Sequence, residues 1–235
     1  MIQNIKQLYG RILAASDGDV GHVKDFYFDD QSWAVRYVVA DTGSWLATRQ
    51  VLLSPHAFII PVLGESNSDD KELQVNLTLK QIEDSPLISS YRSVSRQDEE
   101  ACHLYYGWPT YWSEGRKRDV TELPSSAPQI PQARSRHGAD QPNNLLRRTK
   151  AVTGYQIQAS DGPAGSLRGF MVDRRSWVIQ QLVIKIGHWY AGETILLRPE
   201  NIDRITHDDC TVFVNATKED LKRSSRNDCA LAATG

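Results

Sequence analysis

The sequence predicts a mainly β protein: two small β-barrels in tandem, each with a short terminal helix, joined by a helical and aromatic insertion and a flexible linker. Three observations predict it. The chain repeats itself, each copy is made of short β-branched and aromatic runs punctuated by turn residues, and each copy ends in a helix-capping signature.

The repeat is found by sliding the chain on itself by 144 positions, which lays Gly10 to Phe58 on Gly154 to Ile202 without a gap, with 17 of 49 positions identical. Ala15-Ser16-Asp17-Gly18 falls on Ala159-Ser160-Asp161-Gly162, Gly21 on Gly165, Phe26 on Phe170, and Asp29 on Asp173. Ser32-Trp33 meets Ser176-Trp177, Trp45 meets Trp189, and Leu52-Leu53 with Pro55 meets Leu196-Leu197 with Pro199. Tryptophan is rare enough that two pairs in register argue against chance. The register resumes after a five-residue difference, with Val75-Asn76 on Val214-Asn215, Thr78 on Thr217 and Ile82 on Leu221. A unit of about 75 residues is large enough to bury a core of its own.

Within a unit, Val20 to Phe28 and Trp33 to Asp41 read as two strands joined at Asp29-Asp30-Gln31, and Leu167 to Val172 and Trp177 to Ile186 as their counterparts. The Ser-Asp-Gly sequences at Ser16 and Ser160 supply residues that tolerate tight reversals. Val51 to Leu53 and Ile195 to Leu197 read as a further strand, each stopped by a proline that cannot donate to a ladder. Thr78 and Thr217 stand three residues before Gln81 and Asp220, a spacing that caps a short helix. Closing five or six such strands into a barrel removes exposed edges.

These residues resemble the PRC-barrel family: a strand, a Ser-Asp-Gly turn, Gly21, a hairpin, the Trp45 to Ala47 segment, and a Val/Ile-Leu-Leu-x-Pro strand, all twice over. The family includes the cytoplasmic domain of the photosynthetic reaction-centre H subunit, the C-terminal half of a ribosome maturation factor, and free-standing bacterial proteins of two copies. The resemblance implies a binding or assembly role. The expectation is a non-enzymatic cytoplasmic adaptor that recognises another protein. A ribosome- or RNA-associated maturation factor, and a peripheral accessory protein of a membrane complex of the photosynthetic electron-transport type, are the alternatives. A homo-oligomer is compatible with all three, because repeated modules often meet through equivalent surfaces.

The expected organisation is a first barrel over 1–86, a helix and aromatic segment over 87–112, a basic Pro/Ser-rich linker over 113–150, a second barrel over 151–225 and a disordered tail over 226–235. Ser95 and Asp98 form a capping box at the head of a helix from Arg96 to Tyr106, ended by Gly107 and Pro109. Tyr105, Tyr106, Trp108, Tyr111 and Trp112 then crowd into eight positions. Such rings serve as packing or as a partner-binding surface. In the linker, basic residues outnumber acidic ones eight to four. It is either a solvated spacer or, through Arg116, Lys117, Arg118, Arg147 and Arg148, a contact for RNA phosphates or anionic lipid.

The net charge of −2 lacks the global basic footprint of a nucleic-acid binder. The start shows no signal-peptide pattern and no apolar run is long enough to span a bilayer, so no integral membrane segment is expected. Three cysteines with no CxxC pair fit a reducing compartment. The sequence contains no phosphate loop, HExxH, CxxC or GxSxG motif, and no catalytic residue, metal or cofactor is expected. Asp17 and Asp161 are acids common to both repeats, and their Asp-Gly setting explains them as turn formers.

Overall fold

β-Branched and aromatic residues between turn formers produce one long antiparallel hairpin in each repeat. The structure, a computed structural model, describes residues 1–46, 49–59, 72–88, 94–112, 146–187, 193–221 and 223. Met1–Asp84 and Asn144–Gly235 form one unit and Ser85–Asn143 a second. The strands of the first repeat are β1 (Ile2–Asn4), β2 (Ile12–Ala15), β3 (Gly18–Asp29), β4 (Val35–Asp41), β5 (Gln50–Leu53) and β6 (Glu72–Gln74), followed by helix α1 (Leu79–Glu83). After helix α2 (Arg96–Tyr106) come β7 (Leu146–Arg148), helix α3 (Thr149–Val152), β8 (Gln156–Ala159), β9 (Gly162–Asp173) and β10 (Val178–Ile186). The last strands are β11 (Glu193–Leu197), β12 (Ile202–Thr206) and β13 (Thr211–Val214).

The protein is mainly β, in two mixed sheets. One runs β5-β4-β3-β2-β6 with β7 added to β3, and the other runs β11-β10-β9-β8-β13-β12 with β1 added to β9. Neither sheet closes on itself among the described residues. Each contains a parallel pair at the same place, Leu13 opposite Leu73 and Ile157 opposite Val212. No helix among the described residues is long and apolar enough to cross a membrane.

The repeat seen in the sequence is a repeat in space. Gly21 and Gly165 each lie where a Cβ would sit 2.0 Å from a backbone oxygen of the neighbouring strand, Asp41 O and Lys185 O respectively, so no larger residue fits either position. Asp17 Oδ1 accepts from Leu79 N (2.7 Å) and Asp161 Oδ1 from Lys218 N (3.0 Å). The Ser-Asp-Gly carboxylates thus hold the first backbone N–H of the terminal helical turn, a task beyond shaping their own reversal. Trp33 and Trp177 both adopt a left-handed backbone (φ 57° and 54°), rare for a bulky residue, and both donate their N–H back to the first residue of the turn, Asp29 O and Asp173 O. Trp189 and the tail over 226–235 lie outside the described residues.

The two sheets interlock by exchanging strands. β1, at the head of the first repeat, pairs with β9 of the second, with Ile2 opposite Asp173 and Asn4 opposite Met171. β7 pairs with β3 of the first, with Leu146 opposite Asp29 and Arg148 opposite Tyr27. The two registers are related by the same shift of 144. Ala34 bridges Val178, its own counterpart, flanked by Val35 N donating to Trp177 O (2.7 Å) and Ile179 N donating to Trp33 O (2.8 Å). A residue that meets its own counterpart marks a local two-fold axis. Phe28 and Phe170 meet beside it at 5.2 Å between ring centroids, so the repeats share apolar core.

The residues expected to end the linker therefore have regular structure. Arg147 and Arg148 are part of β7, because β3 is longer than β2 and offers the rest of that edge for pairing. Asp25 fixes the join. Fully buried, it accepts from Thr149 Oγ1 (2.8 Å), Lys150 N (3.1 Å) and Arg148 Nε (2.9 Å). Its counterpart, Gly169, carries no charge, and Asn4 instead caps its own chain at Lys6 N. Replacing Asp25 with Ala leaves the Arg148 guanidinium beside a buried void. We expect a loss of about 3–5 kcal/mol, measured by chemical denaturation.

Candidate functional site

The turn between β3 and β4 carries two carboxylates with different duties. Asp29 accepts from Gln31 N (2.9 Å), Ser32 Oγ (2.8 Å) and Arg36 Nη2 (3.1 Å). Burial alone would raise its pKa, but these donors outweigh it and hold the group below the ordinary carboxylate range. Asp30 faces the other way and pairs with Arg147 Nε (2.7 Å); burial raises its pKa despite that cation.

Asp30 and Arg147 form one wall of an open cleft of about 720 Å³. The turn brings in Trp33, the Pro199–Asn201 turn brings in Glu200, and β12 brings in Ile202, Asp203 and Arg204. Trp33 stacks on Phe28 at 5.7 Å and 20°, which fixes its plane. Arg204 lies over the Phe213 ring, 4.0 Å from its centroid, and pairs with Asp203. Most charges at the cleft are thereby held by a neighbour, which presents them in fixed positions.

The two-fold axis provides a second corner for comparison. There Trp177 stands in place of Trp33 and Phe58 in place of Ile202, and the two rings pack at 5.0 Å with Phe26 behind them at 6.3 Å. Trp177 is 4% exposed. Its indole N–H finds no acceptor among the described residues, the cost of filling that corner with rings. The equivalent position beside Trp33 has the smaller Ile202 in place of Phe58 and borders the cleft.

The expected aromatic cluster lies in the second unit. Helix α2 has the expected bounds, with reciprocal capping between Ser95 and Asp98 and a left-handed Gly107 at its end (φ 69°). The rings pack on one another: Tyr106 stacks on Trp108 at 4.1 Å, and Trp112 meets His103 at 4.8 Å and Tyr111 at 4.9 Å. Arg96 lies 4.4 Å from the Trp112 centroid and pairs with Glu99 at 3.0 Å. Glu99 is fully buried and also accepts from the Tyr111 hydroxyl, whose pKa is raised by burial and then by the Glu99 charge. Tyr105 is 41% exposed. Tyr105 also meets Tyr106 edge-on at 4.8 Å, so all five named aromatics are engaged in ring contacts.

Of the expected anion contacts, Arg147 and Arg148 are engaged by Asp30 and Asp25, and Arg116, Lys117 and Arg118 lie outside the described residues. Among the described residues no group of three His, Cys, Asp or Glu side chains could hold a metal ion. The cleft has no counterpart in the sequence reading, which could not see that distant Arg147 and β12 would face Trp33. Compared with known proteins, the chain matches no family model and none of the curated sequences.

Two predictions follow from these contacts. A carboxylate whose folded pKa is depressed stabilises above its unfolded pKa, roughly 3.9, and that stabilisation is lost as pH falls through the lower folded value. Asp29→Asn should therefore lower the melting temperature at pH 7, and the gap to the parent should narrow as pH is taken below about 3, which differential scanning calorimetry reads directly. In the second unit, Trp108→Ala with Trp112→Ala removes the rings under Tyr106 and Arg96. Hydrogen exchange should show the amides of α2 losing protection, roughly tenfold or more.

Proposed function

We propose that this chain is a non-enzymatic binding protein that recognises another protein, built from two PRC-barrel-like modules fused around a pseudo-two-fold axis. The observation that carries the reading is the difference between the two equivalent corners. One is plugged by Phe58 and Trp177, and the other holds an open cleft walled by an aromatic ring and fixed charges. A structural corner is best filled, because voids and half-covered rings cost stability. An open one of ligand-pocket size on the same frame is what a binding role requires.

The polar residues at the cleft support recognition over chemistry. Asp30 with Arg147, and Asp203 with Arg204, neutralise one another in pairs, which gives orientation and specificity. The binding reading also draws on the short strands of the two sheets, which the PRC resemblance would complete into small barrels. Arg147 and Arg148 lend less to an RNA or lipid contact, because bound phosphate would compete with carboxylates already in place.

Affinity purification of the full chain from its native cells tests the proposal, with and without nuclease and with a membrane fraction in parallel. A protein partner should remain after nuclease treatment and should be recovered without the membrane fraction. Recovery that depends on nucleic acid or on membranes would replace the proposal with one of the other readings. Recovery of no protein would remove it.

A further inference from the structure

The cleft beside Trp33 shares its corner with the edge strand of a sheet. β12 is the last strand of its sheet and pairs only with β13 among the described residues, and its residues Ile202 to Ile205 line the cleft. The backbone groups on the outer side of such a strand are a template for another strand. Cleft and edge are therefore contiguous. A segment laid along β12 would place alternate side chains toward the cleft.

The charges select the segment. Three carboxylates (Asp30, Glu200 and Asp203) and two guanidiniums (Arg147 and Arg204) line the space, a net of one negative charge. Asp30 and Arg147 are paired, as are Asp203 and Arg204, which leaves Glu200, exposed and with no ion-pair partner among the described residues. The Trp33 ring, backed on Phe28, stands in the same lining. A carboxylate and an indole ring in the lining of one cleft suit a lysine or arginine side chain, which gains from both the charge and the ring.

We infer that this cleft binds an extended basic segment of a partner protein, added as a strand to the edge of β12, with a lysine or arginine placed between Glu200 and Trp33. This rests on the binding role proposed above and names the chemistry of its ligand. The opposite corner shows what closure would look like: the Phe58 ring occupies the space, and Glu200 and Asp203 are replaced by His56 and Ile59.

Isothermal titration of the full chain with an acetylated, amidated Lys-Val-Lys-Val-Lys-Val peptide is the test. The controls are its Glu-Val counterpart and two copies N-methylated at alternate residues, one in each phase. Saturable binding is expected for the lysine peptide, little for the glutamate peptide, and loss for whichever methylated copy blocks the hydrogen bonds facing β12. Glu200→Lys alters an exposed side chain and should weaken binding roughly tenfold or more without changing the melting temperature. Ile202→Phe, which copies Phe58 into the open corner, should abolish binding. If it fails to fold, Glu200→Lys alone decides.

Absence of saturable binding overturns the inference, as does equal binding of the glutamate peptide or of both methylated copies, or binding unmoved by Glu200→Lys. Partner capture distinguishes this failure from failure of the broader role. A protein partner retained equally by the parent and by Glu200→Lys would sink the basic-strand inference and keep the binding role, whereas capture of no protein would remove that role whatever the peptides do.

Discussion

The structure depends on a reciprocal exchange. Each repeat sends its first strand to the other's long hairpin strand, β1 to β9 and β7 to β3, about an axis through the Ala34–Val178 bridge. Without it, β3 and β9 would each expose half an edge, and Phe28 and Phe170 would face solvent instead of each other. The exchange also explains the left-handed backbone at Trp33 and Trp177. Each residue turns its carbonyl across the axis to accept an N–H from the other repeat, and these contacts hold a conformation that a bulky residue otherwise avoids.

The two joins share a register and differ in where their charges lie. Asp25, buried under Arg148, Thr149 and Lys150, makes one a buried ionic contact with specific partners, whereas the other has the uncharged Gly169 at that position and an exposed ion pair from the Met1 amino group to Asp173 (2.7 Å). A buried carboxylate without its cation is costly, so it tolerates few alternative pairings.

What could be read from the sequence follows from how local each signal is. The hairpins, the Ser95 capping box, Gly107, and the matching of Gly21 with Gly165 depend on neighbours within a few residues or on comparison of one repeat with the other. The fate of Arg147 and Arg148 does not. Their flank is rich in Pro, Ser and Arg, which reads as linker, and Ile2-Gln3-Asn4 shares no identity with Leu146-Arg147-Arg148, so the repeat could not be traced that far. The strand that forms there is stabilised by β3 and Asp25, more than 100 residues away. The cleft was hidden for the same reason: its walls come from three separated segments, and it has Ile202 where the aligned residue is Phe58. The capping role of Asp17 and Asp161 was half visible, because an Asp-Gly reversal gives no hint that the carboxylate reaches the helix some 60 residues on.

Fusion of the repeats is what allows the two corners to differ. In an isologous pair of identical chains every residue acts twice, so a phenylalanine that plugs one corner plugs both, and a cleft opened on one side opens on the other. On a single chain, Phe58 and Ile202 are free to diverge, as are His56 and Glu200, while glycines, turn carboxylates and hairpin tryptophans remain matched. The plugged corner keeps the rings of Phe26, Phe58 and Trp177 together as core. The loss of packing at Trp33 is thereby confined to one site, on a frame whose central contacts still obey the two-fold relation.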